Sequence, residues 1–223
     1  MTPEVYFAPL KDVLERNAHA ENAGYMKTYM KGRFSFYGLK QQPRRVLFNE
    51  FVKLNGLCDY ENVKEHIQWL YYQPQREYDY CAMELLLKFK KKWDDSLIDY
   101  AKYLIVNNSW WDTVDLIATN IVGAYLKKNP HLVETIMPDW IANDDMWLNR
   151  SAMIFQLKYK TETSTMWLSK SILPHIESKE FFHQKAIGWS LRQYSRHNSD
   201  WVIHFVNEHE LKPLSRREAL RLL

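Results

Sequence analysis

Apolar residues recur three and four apart along the chain, as at Ile117, Ile121 and Tyr125 and at Met153 and Leu157. That is the spacing of one helix face, and the two-residue alternation of strands never runs for a useful length. Short polar breaks separate the apolar stretches: NNS at 107–109, KNP at 128–130, ANDD at 142–145, ESKE at 177–180 and RHNSD at 196–200. Asn, Asp and Ser at these breaks predict helix N-caps, because their side chains accept from first-turn N–H groups that lack a helical partner. Only 6 Gly and 8 Pro occur in 223 residues, too few turn residues for an all-β chain. The pattern predicts helix following helix.

The segments opening after alternate breaks resemble one another. WWDTVDLIATNI, MWLNRSAMIFQL, FFHQKAIGWSLR and LSRREALRLL each begin with large apolar residues, then set a charged residue before a small or aliphatic pair. The charged residues are Asp115, Arg150, Lys185 and Glu218, spaced 35, 35 and 33 apart, and PQREYDYCAMELLLKF adds Asp79, 36 residues before Asp115. A period of about 35 with two helices per unit falls in the range of tetratricopeptide to HEAT arrays. The expected fold is all-α: a right-handed-type α-solenoid of HEAT-like helix pairs, one domain over residues 1–223. Each pair buries its apolar face only against its neighbours, so equivalent positions line up in a row, and the concave side is the usual binding side.

A formal charge of +3 and a pI near 8.7 do not by themselves imply nucleic acid; the location of the charge matters. Lys88, Lys90, Lys91 and Lys92 form one cluster, Arg44 and Arg45 a second, and Lys212, Arg216, Arg217 and Arg221 a third. Each suits phosphate, and each equally suits a solvated helix end. Cys58 and Cys81 stand without CxxC spacing or a nearby His, which argues against a metal site or a disulfide framework. The eight scattered histidines add no ligand spacing, and no Gly-rich phosphate loop is present, so no cofactor is implied. No apolar run reaches the roughly 18 residues of a membrane span, and the first residues do not read as a signal peptide. The expectation is a cytoplasmic protein with no membrane partner.

Trp111 precedes Asp115 by one helical turn, and Trp189 follows Lys185 by one turn, so each pair shares a helix side. In a stacked array these residues and Arg150 could converge. Indole faces attract cations by roughly 0.5–2 kcal/mol each, and a carboxylate adds fixed negative charge, so the set suits a transition state carrying positive charge. Arg150 and Lys185 suit a phosphate held beside it. A deoxyribose losing its base fits this description. No general acid is evident, which is tolerable when the departing base is already cationic. Plainer readings stand beside this one: Trp110, Trp111, Trp147 and Trp189 as core residues, and Asp112 or Asp115 as a first-turn acid complementing the helix dipole.

Five stretches carry a resemblance to a known family. SWWDTVD (109–115) resembles the active-site segment of the AlkD-type DNA alkylation repair enzymes, and WLNRSAMIFQLKYK (147–160) and SKEFFHQKAIGWSLRQY (178–194) resemble the next two repeats of that family. LKPLSRREAL (211–220) resembles its closing helix, and YMKGRFSFYGL (29–39) the segment before its first full repeat. The resemblance implies a concave array of HEAT-like helix pairs. It implies excision of positively charged alkylpurines, such as 3-methyladenine and 7-methylguanine, from double-stranded DNA without base flipping, unlike most glycosylases. The family's groove tryptophans fall on Trp111 and Trp189, its catalytic aspartate on Asp115, its phosphate-contacting arginine on Arg150, and an aromatic near the lesion on Tyr29. One departure lies in GLKQQPRR (38–45), where Pro43 comes one place late and Lys40 replaces a usual Gln. That loop, with Arg44 and Arg45, is expected to approach DNA, and its change bears on lesion preference.

The sequence therefore predicts a base-excision glycosylase with Asp115, Trp111 and Trp189 catalytic. Arg150, Lys185, Arg192, Tyr29, Arg44 and Arg45 are expected to contact DNA. A monomer suits a curved DNA-binding array. The alternatives are a HEAT-like scaffold for a protein partner and a DNA-binding relative without activity, because fold alone does not decide function.

Overall fold

The computed structural model describes residues 1–223. The chain is helical throughout, apart from an isolated parallel bridge between Ser35 and Gln75. It forms two compact units, Met1–Asp94 and Asp95–Leu223.

The first unit comprises α1 (Pro3–Arg16), α2 (Ala20–Tyr29), α3 (Gln41–Asn55), α4 (Val63–Tyr71) and α5 (Arg76–Lys88). Its interior is aromatic: the Phe7 ring packs against Phe51, His66 and Trp69. Helix α2 buries none of its own residues. The segment that follows it is fastened by Glu77, a fully buried carboxylate. Glu77 accepts the backbone N–H groups of Tyr37, Gly38 and Leu39 at 3.1, 2.9 and 3.1 Å. Burial pushes the Glu77 carboxyl above its ordinary pKa, and the backbone donors oppose that rise. Pro43, whose placement departs from the family pattern, lies in the first turn of α3, where its missing N–H is harmless.

The second unit holds four helix pairs. Helix α6 (Leu97–Val106) precedes a long helix made of α7 (Trp111–Leu116), a π-turn (Ile117–Val122) and α8 (Gly123–Lys128). Then come α9 (Val133–Ala142) with α10 (Met146–Ile154), α11 (Thr165–Ile172) with α12 (Phe181–Ser195), and α13 (Ser199–Glu208) with α14 (Pro213–Ala219). Asp115, Arg150 and Lys185 are each the fifth residue of the second helix of their pair, as the repeat predicts. Polar contacts join successive pairs at about one period. Lys102–Asp139, Lys127–Glu162, Tyr159–Gly123, Lys212–Glu177 and His175–Ile141 are separated by 37, 35, 36, 35 and 34 residues. Contacts one period apart are what stacking of like units onto their neighbours produces. The shared core runs through Ala118, Ile154, Ile172, Ile187, Leu191, Val202 and Val206. Where α12 meets α14, Gly188 leaves no room for a Cβ, which would lie 2.4 Å from the Glu218 Cβ.

Two of the five polar breaks cap helices as predicted. Asp145 accepts the Trp147 N–H at 2.8 Å, and Asn198 accepts the Trp201 N–H at 3.0 Å. Elsewhere the side chains are drawn to other partners. The Ser109 hydroxyl donates back to the Ile105 carbonyl at 2.6 Å, and the Asn129 amide to the Tyr125 carbonyl at 3.1 Å. Ser178 meets His183 Nδ1 at 2.9 Å, and α12 opens without a side-chain cap. Short polar side chains bind the helix they leave as readily as the one they enter.

Candidate active site

Asp115 lies one turn into α7, and Arg150 reaches it from the matching position of the next repeat. The guanidinium donates from Nε to Asp115 Oδ1 at 2.7 Å and from Nη2 to Oδ2 at 2.8 Å, a bidentate pair. Nη1 donates to the Phe182 carbonyl at 2.8 Å. The side chains are 5% (Arg150) and 16% (Asp115) exposed, so the pair lies almost out of water. Burial pushes the Asp115 carboxyl above its ordinary pKa; Arg150 offsets part of that, and Asp112 adds to it. The result is a fixed carboxylate in a low-dielectric setting, where charge acts more strongly than in water.

Aromatic rings back this pair. Trp110, Trp147 and Phe182 form a three-ring cluster with centroids 4.9–5.8 Å apart, and the Arg150 guanidinium carbon sits 5.8 Å from the Phe182 ring. Trp110 and Trp147 thus pack, as the plainer reading allowed. Trp111 opens α7 half-buried, one turn before Asp115. Trp189 is half-buried too and packs on the core of the second unit.

The remaining cations are paired. Glu218 of α14 accepts Lys185 Nζ at 3.0 Å and Arg192 Nη1 at 2.5 Å. Lys185 first, with Arg192 beside it, holds the Glu218 carboxyl below its usual pKa. In the first unit, Glu84 takes both Arg44 and Arg45, at 3.0 and 3.1 Å. Arg44 is 4% exposed and lies over the Tyr80 ring, whereas Arg45 is 47% exposed. The two adjacent arginines therefore part company: burial withdraws Arg44 from the surface and leaves Arg45 there. Tyr29, the last residue of α2, is 68% exposed.

The row of matched positions is thus a set of ion pairs rather than a line of free charges: Asp115 with Arg150, and Lys185 with Glu218. The spacing of the chain marks these positions but not their pairing. The signal was present, since their charges have opposite sign in those successive repeats. Phe182, Glu84 and the buried Glu77 carried no such signal. No group of three or more His, Cys, Asp or Glu gathers as a metal site, both cysteines are free, and no helix is long and apolar enough to cross a membrane.

Residues 10–223 match the model of the DNA alkylation repair enzyme family. A solved structure from Enterococcus faecalis, described as a predicted DNA alkylation repair enzyme, is similar at a TM-score of 0.86 and 32% identity, over 92% of this chain and 96% of that one. No curated protein matches the chain. With a family model that leaves out only the first nine residues, the chain belongs to the DNA alkylation repair enzyme family.

Proposed function

We propose that the protein is a DNA glycosylase. It hydrolyses the N-glycosidic bond of positively charged N3- and N7-alkylated purines in double-stranded DNA, without turning the base out of the helix. The observation that carries this reading is the near-buried Asp115 carboxylate, held in two-point contact by Arg150 one turn from the half-buried Trp111. As the glycosidic bond lengthens, its electron pair leaves with the base and cancels the base's positive charge, so no general acid is needed. The sugar becomes oxocarbenium-like. Asp115 and the indole faces of Trp111 and Trp189 stabilise that charge. Asp115 orients the water that attacks the anomeric carbon and accepts its proton.

Three of the five Arg150 N–H groups hold Asp115 and Phe182, and the other two suit a phosphate beside the lesion. Lys185, Arg192 and Glu218 together carry one net positive charge and form a second backbone contact. Arg45 and Tyr29 are proposed contacts on the first unit, with Arg44 supporting Arg45 through Glu84. The test is release of free base from duplexes bearing 7-methylguanine or 3-methyladenine, run beside Asp115→Asn. Wild type should release base, and Asp115→Asn should lose on the order of a hundredfold or more, as for one well-placed electrostatic group. One observation favours a second reading, a non-catalytic DNA-binding or protein-interaction scaffold: Lys185 with Arg192, and Arg44 with Arg45, each share a carboxylate that cancels one of their two charges. Duplex binding without base release by the wild type would establish that alternative.

A further inference from the structure

The buried residues along the long helix of the second unit include pairs at Thr113/Val114, Ile117/Ala118, Ile121/Val122 and Tyr125/Leu126, four residues apart, with Thr119 and Gly123 buried beside them. An α-helix turns about 100° per residue, so over twelve residues it overshoots three full turns by roughly 120°. An uninterrupted α-helix would carry Tyr125 and Leu126 off the core face. The π-turn prevents this. Its wider hydrogen bond, from the Gly123 N–H to the Ala118 carbonyl, takes up about one extra residue and returns the face to the core. The azimuth of Asp115 relative to everything after it is therefore set between Ile117 and Val122.

Side chains hold that turn. At its entry the Thr119 hydroxyl donates to the carbonyl of Asp115 itself at 2.7 Å. The Asn120 amide donates to the Leu116 carbonyl at 3.2 Å and to the Thr119 hydroxyl at 3.0 Å. Lys158, from the repeat that also supplies Arg150, donates to Asn120 Oδ1. The carboxylate's backbone and its guanidinium partner are thus tied to each other twice, once through the side-chain pair and once through the π-turn.

We infer that Thr119, Asn120 and Lys158 are positioning residues for Asp115, holding the π-turn in the register that aims the carboxylate at Arg150 and at the reacting sugar. The inference rests on the glycosylase reading above. The experiment compares Thr119→Val, Thr119→Ser and Lys158→Met with wild type and Asp115→Asn. It measures kcat and KM on a 7-methylguanine duplex across pH, with a thermal melt of each variant. Thr119→Val and Lys158→Met should each lower kcat about tenfold, inside the ~10²-fold loss that an ångström of misplacement brings. KM should stay within about twofold, since a residue that acts only by aiming the carboxylate leaves ground-state binding of the duplex unchanged. As the carboxylate slips from Arg150, the acid limb of the kcat profile should move to higher pH, and Thr119→Ser should restore both. Lys158 is exposed, so Lys158→Met gives the readout even if Thr119→Val does not fold. Wild-type kcat in the folded variants, or a fall with no movement of the acid limb, overturns the inference while an inactive Asp115→Asn leaves the glycosylase reading standing. An active Asp115→Asn overturns both.

Discussion

The Asp115–Arg150 pair gives the sharpest prediction, because its two halves should fail differently. Removing one partner of a buried ion pair costs about 3–5 kcal/mol, since the other charge stays buried without compensation. Asp115→Asn leaves Arg150 at 5% side-chain exposure and sets an amide donor against a guanidinium donor. A guanidinium cannot shed its proton in a protein, so the full penalty applies. For a chain of this size, about 2–4 °C of melting temperature is lost per kcal/mol, which predicts a drop of roughly 6–20 °C. Arg150→Met has an escape that Asp115→Asn lacks. Burial already pushes the Asp115 carboxyl upward, and Arg150 is what restrains it. Without Arg150 its folded pKa rises further above the unfolded value. A carboxyl raised on folding contributes stability at low pH and loses it as pH rises. The Arg150→Met deficit should therefore be large near pH 8 and shrink toward pH 5, while the Asp115→Asn deficit should not grow as pH rises, since the raised carboxyl of the wild type itself loses stability in that direction. Thermal melts of wild type, both single variants and the double variant at several pH values provide the measurement, and the double variant should lose less than the sum of the singles. A loss below ~1 kcal/mol for Asp115→Asn, the size typical of an exposed pair, would refute the argument. So would an Arg150→Met deficit that grows on acidification.

Two further outcomes follow from the second unit. His183 is buried, and its pKa is lowered to about 4 by that burial first, then by His175, with the Met146 backbone opposing and Arg150 adding a little. A histidine depressed on folding contributes stability above its unfolded pKa and loses it as pH falls. Wild-type stability should thus decline between pH 6.5 and 4 by up to roughly 3 kcal/mol from this group, and His183→Phe should flatten that part of the acid-melting curve. For DNA, Lys185→Ala should weaken binding to methylated and unmethylated duplexes alike. It should reduce the slope of log affinity against log salt by about 1; an unchanged slope removes Lys185 from the phosphate contacts.

The helix pairs, the period near 35 and the shared fifth-residue register of Asp115, Arg150 and Lys185 were all legible along the chain. These are written as spacings along the chain, and hydrophobic burial forces them on any stacked array. Which charges pair with which was settled only by the packing of the helices. Glu218 takes Lys185 and Arg192, Glu84 takes Arg44 out of solvent while Arg45 remains at the surface, and Arg150 closes on Asp115. The packing also decided that the four-residue spacing after Asp115 becomes a π-turn, and that two polar breaks bind the helices they leave. Each of these outcomes depends on a competition between partners from different repeats and on how far burial strips water from a charge. Neither quantity exists until the repeats are stacked.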